Sequence, residues 1–438
     1  MTADMKEVLR AKLADRSAAV GIVGLGYVGL PTAIAYAEAG FRVAGVDVSA
    51  ERREAIARGT SYIEGLSDPA VREVVDAGRL RAVESLDAAG DLDVVDICVP
   101  TPLDKSREPD ISAIVAVIRE VRKQLRPGQL VMLTSTTYPG TTVEVVQPEL
   151  EADGLVAGRD VFLAFTPERI DPGNPTYNLH NTPKVVGGVT AACTELAKAL
   201  LETITETVVP VSDPTTAEMT KLLENTYRSV NIGLANEVAI MCHRLGVNVW
   251  QVIDAAATKP YGFTPFYPGP GLGGHCIPVD PSYLAWKLRR LNYTARYVDL
   301  ANEINRHMPE YVVSRAAEIL NDERASLKGA RIHLVGLAYK KDVGDLRESP
   351  ALDIYELLLS HGAEVTFSDP NLTVALLEDG SEIHSTLPSA DLIAAQDLVI
   401  ICTDHTDTPW EVIREHARSV FDTRGTKYGR GREGWHQL

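Results

Sequence analysis

Short apolar runs alternate with segments of helical periodicity along the first part of the chain. Such runs, bounded by turn residues, are typical of buried strands, and they fall at Ala19–Val23, Phe41–Val46, Asp93–Val99, Leu130–Leu133 and Val161–Phe165. A helical segment that closes at Gly40 lies between the first two runs. Strands that alternate with helices predict a mostly parallel sheet in an α/β domain.

The same order of elements returns near the end of the chain, with strands predicted at 331–337, 364–367, 397–402 and 419–421 and a helix at 351–362. Between the two sets, apolar residues recur at helical spacing from Pro214 to Gly246, and Asp213 is the expected N-cap. A helix of about 30 residues is about 45 Å long. The pattern therefore predicts two Rossmann-like, doubly wound α/β domains joined by a long central helix.

The first predicted strand runs into a glycine-rich turn, GLGYVG, at residues 24–29. Gly24 permits the tight turn, Gly26 lets a pyrophosphate approach the backbone, and Gly29 lets helix and strand pack closely. The next strand ends at Asp47, which can accept hydrogen bonds from both ribose hydroxyls of NAD and disfavours the 2′-phosphate of NADP. Arg52 is either a contact to a 2′-phosphate or a solvated helix residue. These residues predict a dinucleotide site that prefers NAD.

Polar residues crowd the ends of three further strands, at the sheet edge where ligands of doubly wound sheets bind. Thr101 lies in a Pro-Thr-Pro turn, hydroxyls cover residues 134–137, and residues 166–171 include Glu168 and Arg169. Each hydroxyl has helix capping as its alternative role.

Two stretches of the middle region carry candidate chemistry. The run YPGPGLGGHCIPVDP, Tyr267 to Pro281, is too rich in glycine and proline for a regular helix or strand, and it presents Cys276. The alternative is a surface loop with an incidental cysteine. On the central helix Lys221, Asn225 and Arg228 share one stripe, and spacing alone favours a solvated surface there.

The loop after the strand at 331–337 lacks the glycine fingerprint. It carries Lys340, Lys341 and Arg347, which are cations suited to a diphosphate, although a basic surface loop is the alternative.

Composition excludes several classes of protein. The 438 residues include 43 basic and 60 acidic side chains, and the net charge of −17 argues against binding to nucleic acids or anionic membranes. The five cysteines form no CxxC pair, so neither a metal site nor a disulfide framework is predicted. The charged N-terminus does not resemble a signal peptide, and no apolar run is long enough to span a membrane. A cytoplasmic protein is expected.

These segments resemble the UDP-sugar 6-dehydrogenase family, in particular its UDP-N-acetylhexosamine branch. The resemblance covers Ala19 to Gly425 and rests on GLGYVGLP, VPTP, STTYPGTT, TPERIDPGNP, KLLENTYRSVNIGLANE, PGPGLGGHCIPVDP, GLAYKKDVGDLRESP and FDTRG. It implies an NAD-binding domain at 1–210, a central helical dimerisation region with the Cys loop at 211–310, and a UDP-sugar-binding domain at 311–438. It also implies oxidation of the sugar C6 alcohol to a carboxylate with NAD as cofactor, and a homodimer formed through the central helix.

The resemblance implies roles for individual residues as well. The implied catalytic residues are Cys276, which forms a thiohemiacetal and then a thioester, Lys221 and Asn225, which bind the C6 oxyanion, and Asp280, Thr136 and Glu168. Cofactor contacts are expected at Gly24, Gly26, Tyr27, Val28, Gly29, Asp47, Arg52, Thr101, Thr136 and Arg347. Substrate contacts are expected at Glu168, Arg169, Lys221, Asn225, Arg228, Tyr267, Gly273, Tyr339 and Lys340, and Arg424 is expected to reach the nicotinamide ribose region.

Departures from the UDP-glucose branch at Pro172, His275 and Val279 favour an acetamido sugar. The expected substrate is UDP-N-acetylglucosamine, with UDP-N-acetylmannosamine next and UDP-glucose as an alternative. A nucleotide-sugar-binding protein without catalytic activity is an alternative of another class. A hydroxyacid dehydrogenase that makes a single oxidation is a further one, but it needs neither Cys276 nor a second nucleotide-type domain.

Overall fold

The computed structural model describes residues 4–63, 65–104, 106–170, 174, 176–274, 276–429 and 432–438. The chain divides into two compact units. The first unit comprises Met1–Glu224 and Trp286–Asn292, and the second comprises Asn225–Ala285 and Tyr293–Leu438.

The first unit is built on an eight-stranded sheet in the order β3-β2-β1-β4-β5-β6-β7-β8. Its strands are β1 Ala19–Val23, β2 Arg42–Val46, β3 Leu80–Val83, β4 Val94–Ile97, β5 Leu130–Leu133, β6 Phe162–Phe165, β7 Lys184–Gly188 and β8 Val208–Pro210. Neighbouring strands are parallel except β6 and β7, which are antiparallel. Strands β4, β5 and β6 are buried along their whole length, which explains their continuous apolar sequences.

Helices of the first unit cover this sheet: α1 Met5–Ala14, α2 Gly29–Glu38, α3 Ala50–Ala57, α4 Asp68–Asp76, α5 Leu86–Ala89, α6 Ser112–Lys123, a π-helix Thr142–Val146, α7 Gln147–Glu151 and α8 Ala191–Leu201. Apolar residues of the helices and strands form two large buried clusters.

The long helix α9, Pro214–Leu245, begins in the first unit and ends in the second. Asp213 Oδ1 accepts the backbone N–H of Thr216 at 2.8 Å, so the expected N-cap is confirmed. Helix α11, Asp280–Arg290, also contributes residues to both units. Helix α10, Val249–Ala257, and helix α12, Arg296–Asp322, belong to the second unit.

The second unit contains a parallel five-stranded sheet in the order β10-β9-β13-β14-β15 and a two-stranded antiparallel β11-β12 pair. The strands are β9 Arg331–Val335, β10 Glu364–Ser368, β11 Val374–Leu376, β12 Glu382–His384, β13 Leu398–Ile401, β14 Val420–Asp422 and β15 Trp435–Gln437. The remaining helices are α13 Pro350–Ser360, α14 Ala390–Ala394, α15 Trp410–His416 and a 3-10 turn Lys427–Gly429.

The predicted fold class is confirmed, because both units contain parallel Rossmann-like sheets and α9 is the long helix in the middle of the chain. The predicted strands all occur; β1 and β5 have the predicted bounds, and the ends of the others differ by one or two residues. The boundaries 1–210, 211–310 and 311–438 stay a prediction. Within the described part of the chain, no helix is long and apolar enough to cross a membrane.

Candidate active site

The glycine turn after β1 has the geometry that its fingerprint predicts. Gly24 has φ +93°, and a Cβ there would lie 2.6 Å from the carbonyl oxygen of Cys98. A Cβ on Gly29 would lie 3.2 Å from the Cβ of Cys98. Gly26 faces open space, since no described atom lies within 4 Å of its Cβ position. The turn therefore offers a backbone surface to a pyrophosphate at the N-terminus of α2, where the N-cap residue Val28 makes no side-chain cap.

Asp47, at the end of β2, is only 5% exposed. Its carboxylate accepts the N–H of Leu25 at 2.9 Å and that of Ser49 at 2.8 Å. Arg52 Nη1 lies 3.3 Å from Asp47 Oδ2, so Arg52 is an ion-pair partner of the expected ribose acceptor rather than a purely solvated residue. Tyr62 donates to the carbonyl of Leu25 at 2.6 Å, and burial together with the charge of Asp47 raises the pKa of Tyr62 to about 12. No motif singled out Tyr62.

The hydroxyl cluster after β5 is mostly turned into the protein. Thr134 Oγ1 donates to Asp96 at 2.6 Å, and Ser135 Oγ donates to the carbonyl of Val99 at 2.8 Å. Thr136 is half-buried, and the described residues give its hydroxyl no hydrogen-bond partner. Thr136 is therefore the member of this cluster best placed to meet a ligand.

The other expected cofactor contacts differ in exposure. Thr101, which follows β4, is 4% exposed, and Tyr27 in the glycine turn is 44% exposed. Arg347 belongs to the second unit, and its guanidinium pairs with the carboxylate of Asp345 at 2.6 Å and 3.0 Å.

Glu168, after β6, is held by three donors. Its Oε1 accepts the N–H groups of Arg169 at 2.7 Å and Ile170 at 2.8 Å, and its Oε2 lies 2.9 Å from Nζ of Lys184. Burial works to raise the pKa of Glu168, but Lys184 and the backbone donors outweigh it, and the net shift is downward. Arg169 pairs in turn with Glu224 at 2.6 Å. Glu168 is thus an oriented carboxylate that favours its ionised form.

The polar stripe of α9 is not uniformly solvated. Lys221 and Asn225 are only 9% and 8% exposed, whereas Arg228 is exposed. The surface interpretation that spacing favours is therefore wrong for Lys221 and Asn225. Spacing alone shows that residues share a face but not what covers that face.

Cys276 is exposed, whereas the other four cysteines are buried. Its carbonyl accepts the N–H of Asp280 at 2.8 Å, so the thiol-bearing residue closes the turn that begins α11. Asp280 is 2% exposed, and one of its carboxylate oxygens accepts a hydrogen bond from the side-chain amide of Asn225. A thiol, a carboxylate and an amide, all named by the resemblance, are therefore connected within the second unit.

Two buried asparagines anchor the start of the loop that carries Cys276. Asn236 Oδ1 accepts the N–H of Gly269 at 2.9 Å, and its amide donates to Asn305 Oδ1 at 2.9 Å. Asn305 donates to the carbonyl of Ser229 at 3.1 Å. No motif marks this pair of asparagines, although an asparagine on an apolar helix face is a signal that could have found it.

The Cys276 loop also packs on the nucleotide-like loop after β9. Gly274 has φ +85°, and its N–H donates to the carbonyl of Arg347 at 2.9 Å. A Cβ on Gly274 would lie 2.8 Å from ring atoms of Tyr339, and one on Gly273 would lie 2.9 Å from the carbonyl of Glu348. The two glycines therefore allow the backbone to approach Tyr339, beside Lys340, so this predicted pair of substrate contacts adjoins the Cys276 loop.

Tyr267 and Arg424 flank the same loop. Tyr267 stacks on Trp250 with ring centroids 5.8 Å apart, and its hydroxyl donates to Asp254 at 2.8 Å. Arg424 is half-buried, and its Nε donates to the carbonyl of Cys402 at 2.6 Å. A Cβ on Gly269 would lie 3.0 Å from Arg424 Nη1. Burial lowers the pKa of Arg424 from its ordinary value.

Pro172 and His275, two of the departures that favoured an acetamido sugar, lie outside the described residues. Val279 is buried in the turn after Cys276, where its N–H donates to the carbonyl of Cys276 at 3.1 Å.

Comparison with known families matches three successive parts of the chain to one family. Residues 18–205 match the NAD binding domain of the UDP-glucose/GDP-mannose dehydrogenase family, residues 215–307 its central domain and residues 333–427 its UDP binding domain. The chain belongs to this family and is an NAD-dependent UDP-sugar dehydrogenase, which confirms the expected enzyme class and cofactor.

Similar relatives place the chain near one branch of that family. It is 35% identical to UDP-N-acetyl-D-mannosamine dehydrogenase of Pyrococcus horikoshii, covering 91% of this chain and 93% of that protein. It is 34% identical to the enzyme of the same name from Escherichia coli strain K12, covering 93% and 99%. The structure of the UDP-D-ManNAc dehydrogenase from Pyrococcus horikoshii has a TM-score of 0.87 at 34% identity and covers 96% of this chain and 99% of that one.

Proposed function

We propose that this enzyme oxidises the C6 alcohol of a UDP-N-acetylhexosamine to the carboxylate, in two successive oxidations joined by a covalent adduct on Cys276. The observation that carries the proposal is the exposed thiol of Cys276 in a pinned loop, beside the hydrogen-bonded pair of Asn225 and Asp280. A single oxidation would need no nucleophile, whereas oxidation of an aldehyde requires a tetrahedral adduct first.

The cofactor supplies the hydride acceptor for both oxidations when it is bound. The first unit fits it, because Gly26 leaves the backbone open to a pyrophosphate and Asp47 ends the next strand. Tyr27, Val28, Thr101 and Thr136 are proposed to complete this half of the site.

The residues of this chain are assigned complementary roles in the reaction. Loss of a hydride and a proton from the C6 alcohol leaves an aldehyde, and the Cys276 thiolate adds to its carbon to give a thiohemiacetal. Lys221 and Asn225 stabilise the oxyanion of this adduct. Loss of the second hydride gives a thioester, and water then cleaves its C–S bond, which releases the carboxylate and the thiol. Asp280 orients Asn225, because its carboxylate already accepts one N–H of that amide.

The second unit is proposed to hold the sugar nucleotide. Tyr339 and Lys340 lie after β9, in the segment that the backbone of Gly273 and Gly274 approaches, and Lys340 and Arg347 are the cations assigned to the diphosphate. Arg424, beside Gly269, is proposed to reach the nicotinamide ribose of the cofactor instead. Arg169 and Arg228 are also proposed to contact the substrate.

UDP-N-acetylmannosamine is our first choice of sugar, ahead of UDP-N-acetylglucosamine. The order differs from that expected from the sequence, because the similar relatives named above carry the mannosamine name. UDP-glucose is the second candidate, since a UDP-glucose dehydrogenase from Pyrobaculum islandicum has a TM-score of 0.83 at 26% identity.

The deciding experiment measures NADH formed per sugar consumed for the three nucleotide sugars. We expect a ratio of two with one acetamido sugar and loss of turnover in Cys276→Ser, with nucleotide-sugar binding retained. Labelling with iodoacetamide should modify Cys276 alone among the five cysteines, because the other four are buried. A ratio of one, or full activity in Cys276→Ser, would refute the covalent mechanism. A ratio of two with UDP-glucose only would keep the covalent mechanism but show that UDP-glucose, and not an acetamido sugar, is the substrate.

We also propose a homodimer formed through α9. Six apolar side chains that are between 37% and 74% exposed fall on one face of this helix: Met219, Leu223, Tyr227, Leu234, Met241 and Leu245. At 100° per residue, they lie within an arc of about 80°. A cavity of about 250 Å³ beside this stripe is lined by Ile240, Met241, Ile304 and three polar residues. An apolar stripe of this length is typical of an interface with a second copy of the chain.

A further inference from the structure

We propose that Lys184 is a positioning residue of the dehydrogenase reaction. Its ammonium group fixes the orientation of the Glu168 carboxylate and keeps it ionised beside the substrate. The inference rests on the proposed function, because it is Glu168 that the substrate or the attacking water would meet. No sequence motif marks Lys184, which stands at the first position of the antiparallel strand β7.

The ion pair is well buried on both sides. The side chains of Lys184 and Glu168 are only 4% and 13% exposed, and Nζ and Oε2 are 2.9 Å apart. A lysine is rarely placed so deep without a partner, because burying an unpaired ammonium group is strongly unfavourable. The partner here is a residue assigned to the active site, and no other acid is within ion-pair distance of Lys184 among the described residues. Lys184 makes its direct ion pair with Glu168, and its charge also favours the ionised form of the more distant Asp96.

The three donors leave Glu168 one orientation. Oε1 is occupied by two backbone N–H groups and Oε2 by Lys184, so rotation of the carboxylate would break all three bonds. The remaining lone pair of Oε2 can still accept from a substrate hydroxyl or a water molecule. Removing Lys184 would free Oε2 and leave the carboxylate in a buried site without its counter-ion.

Other charges around this pair oppose the ionised form of Glu168. Asp96 on β4 is buried, and its charge repels that of Glu168. Cys98, at the end of β4, is a neutral thiol here, because burial raises its pKa well above the ordinary value. Arg169 is neutralised by Glu224 at 2.6 Å. Lys184 is therefore the cation that offsets the burial of Glu168, and without it the pKa of Glu168 should rise.

The test compares Lys184→Met and Lys184→Arg by the pH dependence of kcat at saturating NAD+. Lys184→Met should move the acidic midpoint of the profile upward by about one unit or more and lower kcat at neutral pH by about tenfold, with KM for NAD+ within about twofold. Lys184→Arg keeps the charge and should restore the wild-type midpoint. Lys198→Met is the matched control, because Lys198 lies in the same unit with a side chain that is 39% exposed and pairs with Glu202 at 3.5 Å.

A merely structural lysine would lower the folded fraction and leave the pH midpoint where it is, and that result would overturn the proposal. If Lys184→Met does not fold, Lys184→Gln serves instead, since a neutral amide can donate to Glu168 without its charge, and it should show the same upward midpoint. Glu168→Gln tests whether Glu168 takes part in the reaction, independently of Cys276. Full activity with an unchanged profile in Glu168→Gln would remove Glu168 from the reaction, while the Cys276 stoichiometry would still decide the proposed function.

Discussion

Replacing Asp96 by asparagine should stabilise the first unit, and the gain should grow with pH. Asp96 lies on β4 with 1% exposure, and its carboxylate accepts the hydroxyl of Thr134 at 2.6 Å. Burial raises the pKa of Asp96 from its ordinary value of 3.8 to about 6. Asparagine has the shape of the protonated acid and keeps an oxygen for Thr134, but it never has to carry a buried charge.

The magnitude follows from the two pKa values. Because the folded state holds the proton more tightly than the unfolded state, the stability lost through Asp96 grows as pH rises from 3.8 and is complete above about 6. The loss amounts to about 1 kcal/mol at about pH 4.5 and about 3 kcal/mol at about pH 8. The difference between Asp96→Asn and the wild type should therefore increase by about 2 kcal/mol across this range. A fixed cost for the unpaired amide hydrogens of asparagine would shift the whole curve without changing its slope.

The assay is urea unfolding at a series of pH values, combined with hydrogen exchange of peptides from β4 and β5, which reports on the first unit separately. With m near about 3 kcal/mol/M, the change corresponds to a relative shift in midpoint of about 0.7 M. Asp76→Asn, an exposed position on α4, controls for the loss of one negative charge. A difference between Asp96→Asn and the wild type that stays constant from acidic to alkaline pH would show that Asp96 carries no buried charge, and the reasoning would fail.

Two further substitutions test the cofactor site and the proposed interface. Gly26→Ala should weaken NAD+ binding about tenfold, measured by calorimetric titration, with little change in Tm. The reason is that the Cβ position of residue 26 is open in the protein but lies where a pyrophosphate would approach. An unchanged NAD+ affinity would contradict this placement. Leu234→Glu, at a position 57% exposed on α9, should halve the mass measured by light scattering, whereas Leu387→Glu, 85% exposed and outside that helix, should not. Equal masses for the two variants would contradict an α9 interface.

The parts of the fold that local chemistry specifies could be read from the sequence. The turn at Gly24 follows from a strand that ends in glycine, and α9 follows from Asp213 and Pro214 at its start. Helix α12 was not predicted, although it is 27 residues long. It contains Pro309 in its interior, and a proline there ordinarily indicates the end of a helix.

Residues whose roles depend on tertiary contacts could not be found in this way. Lys184 and Glu168 are brought together by the antiparallel pairing of β6 and β7, and no local sequence pattern predicts that pairing. Asn236 and Asn305 lie far apart in the sequence and meet only where α9 and α12 pack together. Periodicity placed Lys221 on a face, but burial of that face depends on the rest of the fold. Sequence reasoning thus succeeds for turns and caps and fails for buried polar pairs.

In each unit, an aspartate that follows the second strand accepts backbone N–H groups from the loop after the first strand. The two aspartates differ in their side-chain partners. Asp47 accepts the N–H of Leu25, and in the second unit Asp369 accepts those of Leu337 and Ala338 at 2.8 Å and 2.9 Å. In the first unit the side-chain ion-pair partner of Asp47 is Arg52, whose side chain is 45% exposed and can move aside for a ribose.

In the second unit the side-chain partner of Asp369 is His405, 3.0 Å away, and both side chains are fully inaccessible. Nδ1 of His405 accepts the N–H of Asp342 at 2.9 Å, so the Nε2 proton is the one donated to Asp369. The acid that would recognise a ribose is therefore used to fix the loop that carries Lys340. The loop after β9 is therefore held in place by a buried His–Asp pair, whereas the corresponding acid of the first unit, Asp47, pairs with a partly exposed arginine.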